Sequence, residues 1–232
     1  TLCVILKINI VEYFVYMGLG ILLGILTAIK KDSLFDKITG FFTLAFGSVP
    51  TFVTIFVLII VLGYRLFWLD PIYTQVGDGF IEGLKGLIIP VTAISLWPLS
   101  HIIRLVRGEV IETLQAEYLL LVRAKGLTRS QAVNRHVVKN IMVTILPEMT
   151  NTFIAVVGLS FLVEIVYNVP GIANLMYDAI MYNAGGGSTV YFDIPVVVLL
   201  AAFYSGVGLF VALVNDVLQP VIDPRIKMGA KK

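Results

Sequence analysis

The sequence predicts an all-α integral membrane protein, a bundle of transmembrane helices. Hydrophobic residues make up 58% of the 232 residues and charged residues only 14%, whereas a soluble domain averages roughly 45–50% apolar and 25% charged residues. Five apolar runs are long enough to cross a bilayer, which takes roughly 20 helical residues. The runs are continuously apolar, while membrane-barrel strands would alternate over about ten residues. Helices therefore fit the pattern better than barrel strands.

The five runs predict one membrane domain, residues 1–232, with no soluble domain attached. The predicted spans cover residues 11–29, 41–62, 84–106, 141–166 and 194–218. Proline removes a helical hydrogen bond, so prolines in these spans are expected to break or kink their helices, although prolines are also simply commoner in membrane helices. The prolines concerned are Pro50, Pro90, Pro98, Pro147 and Pro195.

The positions of lysine and arginine predict the orientation. Fourteen of the 17 lie in the last turn of the first, third or fifth run or follow one of these runs, and short loops rich in these residues face the cytoplasm. The C-terminus is therefore predicted to be cytoplasmic. Because five crossings end on opposite sides, we expect the natural protein to have a sixth, N-terminal helix before Thr1. A cleaved signal peptide is the alternative, but the sequence shows no signature of one.

The fourth run is the most polar of the five. A membrane helix with several polar groups is expected to face protein or a water-filled path, so Asn151, Thr152 and Glu164 are candidates to line a translocation path. Solvation at the helix ends is the alternative account of Glu148 and Glu164. A competing function, an ion-driven secondary transporter, would use Glu148 or Glu164 as its proton site.

A charged segment of residues 107–140 separates the third and fourth runs. Apolar residues at helical spacing predict an amphipathic helix that continues the third span and ends at Lys125, because Gly126 can adopt the left-handed conformation that terminates a helix. Thr128 and Gln131 then form a capping box that starts a second helix. Two helices joined so closely make a compact knuckle, suited to a pocket on a partner.

The alternative for this segment is an amphipathic helix lying on anionic lipid headgroups. Glu109, Glu112 and Glu117 would be repelled by such lipids, and Gly126 interrupts the stripe. We therefore expect a protein-docking surface. The basic residues are accounted for by topology, so nucleic-acid binding is not expected.

The sequence contains no pattern of catalytic or metal-binding residues. The glycine run 185–187 lacks the Lys-Ser/Thr ending of a phosphate loop, and Cys3, the single cysteine, excludes a cysteine-based metal site. His101 and His136 are isolated in the sequence, which favours packing or surface roles. We therefore expect no enzymatic activity, no catalytic residue and no metal in this chain.

The charged segment contains a run of motifs: Glu117-Tyr118, Arg123-Ala124-Lys125-Gly126-Leu127, Arg135-His136 and Lys139-Asn140. Together they resemble the cytoplasmic signature of ABC-importer permeases of the oligopeptide/dipeptide/nickel class. Further matches are Glu164 with Pro170-Gly171 and the closing Asp223-Pro224-Arg225-Ile226, which is most similar to the first permease of such pairs. Thr144 stands where that family usually has proline.

The resemblance implies a six-helix bundle of the type I ABC-importer permease kind, located in a prokaryotic plasma membrane. The implied partners are a homologous second permease, two cytoplasmic ATP-binding subunits that bind ATP and Mg, an extracytoplasmic substrate-binding protein and the lipid bilayer. The implied cargo is short peptides, nickel or metal chelates, or related small solutes. ATPase coupling would fall to Glu117, Tyr118, Arg123, Ala124, Lys125, Gly126, Leu127, Thr128 and Arg135.

Overall fold

The computed structural model describes residues 2–73, 80–115, 137–181 and 193–222, and these ranges are helical with short connections and no strand. A π-helical segment, Ile59–Arg65, directly follows the third helix. The helices are α1 Leu2–Ile29, α2 Leu34–Ser48, α3 Thr51–Leu58, α4 Phe80–Gln115, α5 Val138–Tyr167, α6 Ile172–Ile180 and α7 Ile194–Ile222.

The chain forms two compact units. The first unit comprises Thr1–Phe14, Val49–Leu96 and Ile154–Phe210, and the second comprises Val15–Ser48, Trp97–Phe153 and Val211–Lys232. The helices α1, α4, α5 and α7 each contribute residues to both units.

In the second unit, α1 and α4 pack with their backbones close together. A Cβ atom on Gly20 would lie 2.7 Å from Cγ2 of Ile102, and one on Gly24 would lie 2.7 Å from Cβ of Val106. Small residues four apart on one helix face permit such close approach in membrane bundles. The buried apolar residues of this unit include Tyr16, Met17, Ala28, Ile103, Val110, Ile141 and Ile145.

In the first unit, buried apolar side chains come from α1, α3, α4, α5 and α6. Glu12 of α1 is also fully buried, and neither of its carboxylate oxygens has a hydrogen-bond partner in the part of the chain that the structure describes. The buried apolar residues include Ile8, Ile55, Ile59, Ile89, Ile94, Val156, Val163, Tyr167, Val169 and Ile172.

Four of the five predicted spans are confirmed as long apolar helices. Among the described residues, Ile8–Ile29, Lys85–Gln115, Ile141–Tyr167 and Ile194–Pro220 are long and apolar enough to cross a membrane. The assigned helices α4 and α5 continue through Pro90, Pro98 and Pro147, and Pro195 is the second residue of α7, so these prolines break no helix.

The predicted span over residues 41–62 is interrupted, as the position of Pro50 led us to expect. The run is divided into α2 and α3, which together count as a span only as a bent pair. Pro50 has extended backbone angles, φ −60° and ψ 142°, and precedes α3. Proline disfavours helical geometry at the residue before it, so α2 ends at Ser48 and the expected break at Pro50 is confirmed.

The helix α6 was not predicted from the sequence. It spans only Ile172–Ile180 and follows a turn in which Asn168 has a φ of 55°. This is the left-handed conformation that asparagine tolerates better than most residues, and it ends α5. The chain then re-enters a helix after Pro170 and Gly171.

Candidate functional site

The residues predicted to couple to an ATPase lie outside the described residues. This applies to Glu117, Tyr118, the block 123–128 and Arg135, which all fall within residues 116–136. The structure does describe the residues on either side of this block. The third span continues as one helix, α4, through Gln115, so the expected helical extension of this span is confirmed that far. The chain is described again from Val137, directly before α5.

An ion pair at the start of the charged segment 107–140 connects α2 to α4. Arg107 donates from Nε to Oδ1 of Asp36 at 2.7 Å and from Nη2 to Oδ2 at 2.8 Å. Two parallel charge-assisted bonds fix the geometry as well as the distance. The Asp36 side chain is only 5% exposed, whereas that of Arg107 is 34% exposed. This pair, called the Asp36–Arg107 brace below, therefore holds the end of the third span against the first turn of α2.

Local sequence explains why Asp36 is in place to receive Arg107. The backbone N–H of Asp36 donates to Oγ of Ser33 at 3.3 Å, so Ser33 caps α2. The Asp36 carboxylate also accepts from the backbone N–H of Asp32 at 3.0 Å. The spacing Ser-x-x-Asp is a capping pattern visible in the sequence, but the sequence analysis did not select it.

Arg104, one turn before Arg107, lies over the second half of α2. Its Nη1 donates to the carbonyl of Thr43 at 3.3 Å and would lie 3.0 Å from a Cβ on Gly47. A cavity of about 370 Å³ between these residues is lined also by Lys37 and Thr39. Arg104 and the brace together give α4 two polar contacts along α2, one at its first turn and one in its second half.

His101, which stands alone in the sequence, is paired with Glu148 in the structure. Nε2 of His101 lies 2.8 Å from Oε1 of Glu148, linking α4 to α5, and the two side chains are 36% and 33% exposed. The ring of Trp97 stacks on that of His101 with centroids 6.1 Å apart. The 47-residue separation of the pair hides this contact from sequence reasoning.

The candidate path residues of α5 do not form one cluster. Asn151 is exposed, while Thr152 is buried and donates its hydroxyl to the carbonyl of Glu148 at 2.7 Å. The Thr152 hydroxyl is thus satisfied within its own helix. Both residues belong to the second unit, and Glu164 belongs to the first.

Glu164 caps a neighbouring helix. Its side chain is 2% exposed, and Oε2 accepts from the backbone N–H of Ala173 in the first turn of α6 at 2.8 Å. The first turn of a helix has unpaired N–H groups and a partial positive charge, both of which favour a carboxylate. The second oxygen, Oε1, has no hydrogen-bond partner among the described residues.

Gly171 is required by this cap for a steric reason. Its φ of −122° and ψ of −178° are extended angles that any residue adopts. A Cβ at this position would, however, overlap the carboxylate of Glu164. The pairing of Glu164 with Pro170-Gly171, noted in the sequence as a family resemblance, thus corresponds to a contact between the carboxylate and the glycine.

A family model matches most of the chain. The description of that family is "Binding-protein-dependent transport system inner membrane component", and the match covers residues 20–228. The match therefore includes the brace, the predicted coupling residues and the cap on α6.

Curated relatives are similar over nearly the whole chain. The dipeptide transport system permease protein DppB of Lactococcus lactis subsp. cremoris is 31% identical over 210 residues, which are 90% of this chain and 64% of that protein. The oligopeptide transport system permease protein OppB of Escherichia coli is 28% identical over 222 residues, 95% of this chain and 68% of that protein. This chain thus spans about two thirds of the length of these relatives.

Solved structures share the fold. A chain of the MetNI methionine ABC transporter, in an inward-facing conformation, superposes with a TM-score of 0.71 over 94% of this chain and 93% of that one, at 17% sequence identity. At this low identity the superposition supports the fold alone. It confirms the predicted helical bundle of the type I importer kind. By the extent of the family match, this chain belongs to the binding-protein-dependent transport system inner membrane components.

Proposed function

We propose that this chain is the permease subunit of an ATP-driven importer, and that it forms half of a translocation path for short peptides. The observation that carries the proposal is the signature block at residues 117–140, which directly follows a helix continuous with a membrane span. The peptide class is supported by the names of the relatives, a dipeptide permease and an oligopeptide permease. Nickel, metal chelates and related solutes remain the other cargo candidates.

The proposed assembly contains a second, homologous permease, two cytoplasmic subunits that bind ATP and Mg, and an extracytoplasmic binding protein. The chain lies in a prokaryotic plasma membrane with its C-terminus in the cytoplasm, as the distribution of lysine and arginine predicts. Hydrolysis takes place in the ATP-binding subunits. This chain contributes the path and the docking knuckle.

In the proposed mechanism, ATP binding closes the two ATP-binding subunits and draws the docked knuckles together. Residues 80–115 form one helix, so a displacement at the knuckle passes directly into the third span. The Asp36–Arg107 brace passes the same displacement to α2. The helices then change from an inward-open to an outward-open arrangement, and cargo enters from the binding protein.

The structure supports an ion-driven transporter less well than an ATP-driven one. The two carboxylates that would serve as its proton site both have other partners. Glu148 is engaged by His101, and Glu164 caps α6. Each carboxylate thus has a structural role that requires no ion gradient. We therefore favour ATP over an ion gradient as the energy source.

Replacing Gly126 by valine is expected to uncouple transport without preventing membrane insertion. A β-branched residue disfavours the left-handed bend predicted at this position. We expect uptake by the complete transporter to fall at least about tenfold, with the complex still assembled. The measurement is binding-protein-stimulated ATPase activity and uptake in proteoliposomes.

The matched control is Gly18→Val, because a Cβ on Gly18 in α1 meets no atom within 4 Å. This variant should transport within about twofold of the parent, since surface substitutions in helices change stability only slightly. Full substrate-stimulated ATPase activity in the Gly126→Val transporter would count against a coupling role for this residue.

A further inference from the structure

The outward surface of α6 is unusual for a short helix outside the membrane spans. Its inner face is buried through Ile172, Ala173 and Ala179. On the exposed side, Leu175 is 48% exposed and Tyr177 is 44% exposed, and they flank Asn174 and Asp178, because residues two apart on a helix point about 160° apart. Large apolar side chains exposed beside polar groups mark interaction sites.

The structure holds α6 rigidly in place. Glu164 caps its first turn, and Nδ2 of Asn174 donates to the carbonyl of Val169 at 2.6 Å. The loop beside it is fixed as well, because the backbone N–H of Tyr73 donates to the carbonyl of Tyr167 at 2.9 Å. A surface fixed before binding loses less conformational freedom when a partner docks.

A concave cavity lies against this surface. Its volume is about 730 Å³, and polar and aromatic side chains form much of its wall. Asp178 contributes a carboxylate, and no described lysine or arginine lines the cavity. The cavity lining includes Tyr73, Asn168, Asn174, Leu175, Tyr177 and Asp178.

We infer that this cavity is the docking surface for the extracytoplasmic binding protein, and that it receives a lysine or arginine side chain from that protein. The inference rests on the proposed function, which places the loop between the fourth and fifth spans outside the cell. A carboxylate and two tyrosine rings that line one cavity are complementary to a cation through both charge and cation–π attraction. Leu175 supplies an apolar contact beside it.

The chemistry of α6 favours a protein over a lipid surface. Helices that lie on membranes carry lysine and arginine on their polar face, whereas residues 172–180 contain no basic residue and one aspartate. Membrane surfaces with anionic lipids would repel Asp178. A cavity of about 730 Å³ also fits a protruding side chain better than a layer of headgroups.

The test uses the complete transporter in vesicles of phosphatidylethanolamine and phosphatidylglycerol, together with its purified binding protein. ATPase activity is measured as a function of binding-protein concentration. Asp178→Lys should raise the half-saturating concentration at least about tenfold, because it places like charges together, and Asp178→Asn should raise it about threefold. Asp216→Lys, an exposed carboxylate of α7 outside the cavity, is the matched control and should change it less than twofold.

A second readout identifies what covers the surface. In a Cys3→Ser background, a cysteine introduced as Asp178→Cys is labelled with a water-soluble maleimide. Protection by the binding protein supports the proposal. Labelling that occurs only after detergent extraction would assign the surface to lipid and overturn it, as would an unchanged half-saturating concentration for Asp178→Lys. If the binding protein fails to stimulate even the parent transporter, the proposed function itself fails, which is a separate outcome.

Discussion

Replacing Arg107 by alanine is expected to destabilise the protein by about 3 kcal/mol, because the change leaves the carboxylate of Asp36 buried without its charged partner. Replacing Asp36 by alanine should cost only about 1 kcal/mol, since Arg107 is 34% exposed and can turn toward water. The two variants should therefore differ, with Arg107→Ala the worse. Thermal unfolding of the purified complex in detergent measures the difference.

The double variant provides the control for the brace. With both partners removed, no charge is left buried, so Asp36→Ala combined with Arg107→Ala should be more stable than Arg107→Ala alone. Arg107→Lys should remain defective because lysine cannot form the bidentate pair. Equal costs for the two single variants, or additive costs in the double variant, would contradict this account of the brace.

Replacing Gly171 by alanine is expected to cost about 3 kcal/mol, and valine more, because the added Cβ overlaps the carboxylate of Glu164. The carboxylate would have to leave the first turn of α6, and the buried N–H of Ala173 would lose its acceptor. Unfolding temperature and uptake should both decrease. Gly158→Ala in α5 is the matched control, since a Cβ there meets no atom within 4 Å, and it should be neutral or slightly stabilising.

Combining Gly171→Ala with Glu164→Ala distinguishes a steric cause of the lost stability from a backbone cause. Glu164→Ala removes the side chain that the new Cβ would meet, so it should recover much of the stability lost in Gly171→Ala, even though α6 loses its cap. A double variant that is as unstable as the sum of its parts would show that Gly171 is needed for something other than room for the carboxylate.

The features predicted correctly from the sequence are those whose signal adds up over many consecutive residues. Four spans were correct because about 20 consecutive apolar residues give a strong signal. The second span is divided at Pro50, where a local backbone constraint interrupts an otherwise apolar run. The expectation that prolines break or kink their helices was correct there, while at Pro90, Pro98 and Pro147 the helix continues without a break.

The contacts between distant residues could not be predicted from one sequence. Ser33 and Asp36 formed a visible capping pattern, but the partner Arg107 lies 71 residues away. The helix α6 is only nine residues long, and its cap comes from Glu164 rather than from a residue next to it. Glu148 and Glu164 were selected as polar residues in an apolar run, but their partners appear only when the helices are packed.

The most direct test of the proposed function is uptake of a labelled short peptide into proteoliposomes that contain the complete transporter, with ATP on the side of the ATP-binding subunits. We expect uptake to require both the binding protein and ATP, and to continue when ionophores collapse all ion gradients. Uptake that proceeds without ATP and stops when the ion gradient is collapsed would contradict the proposal, and would assign transport to an ion-driven carrier.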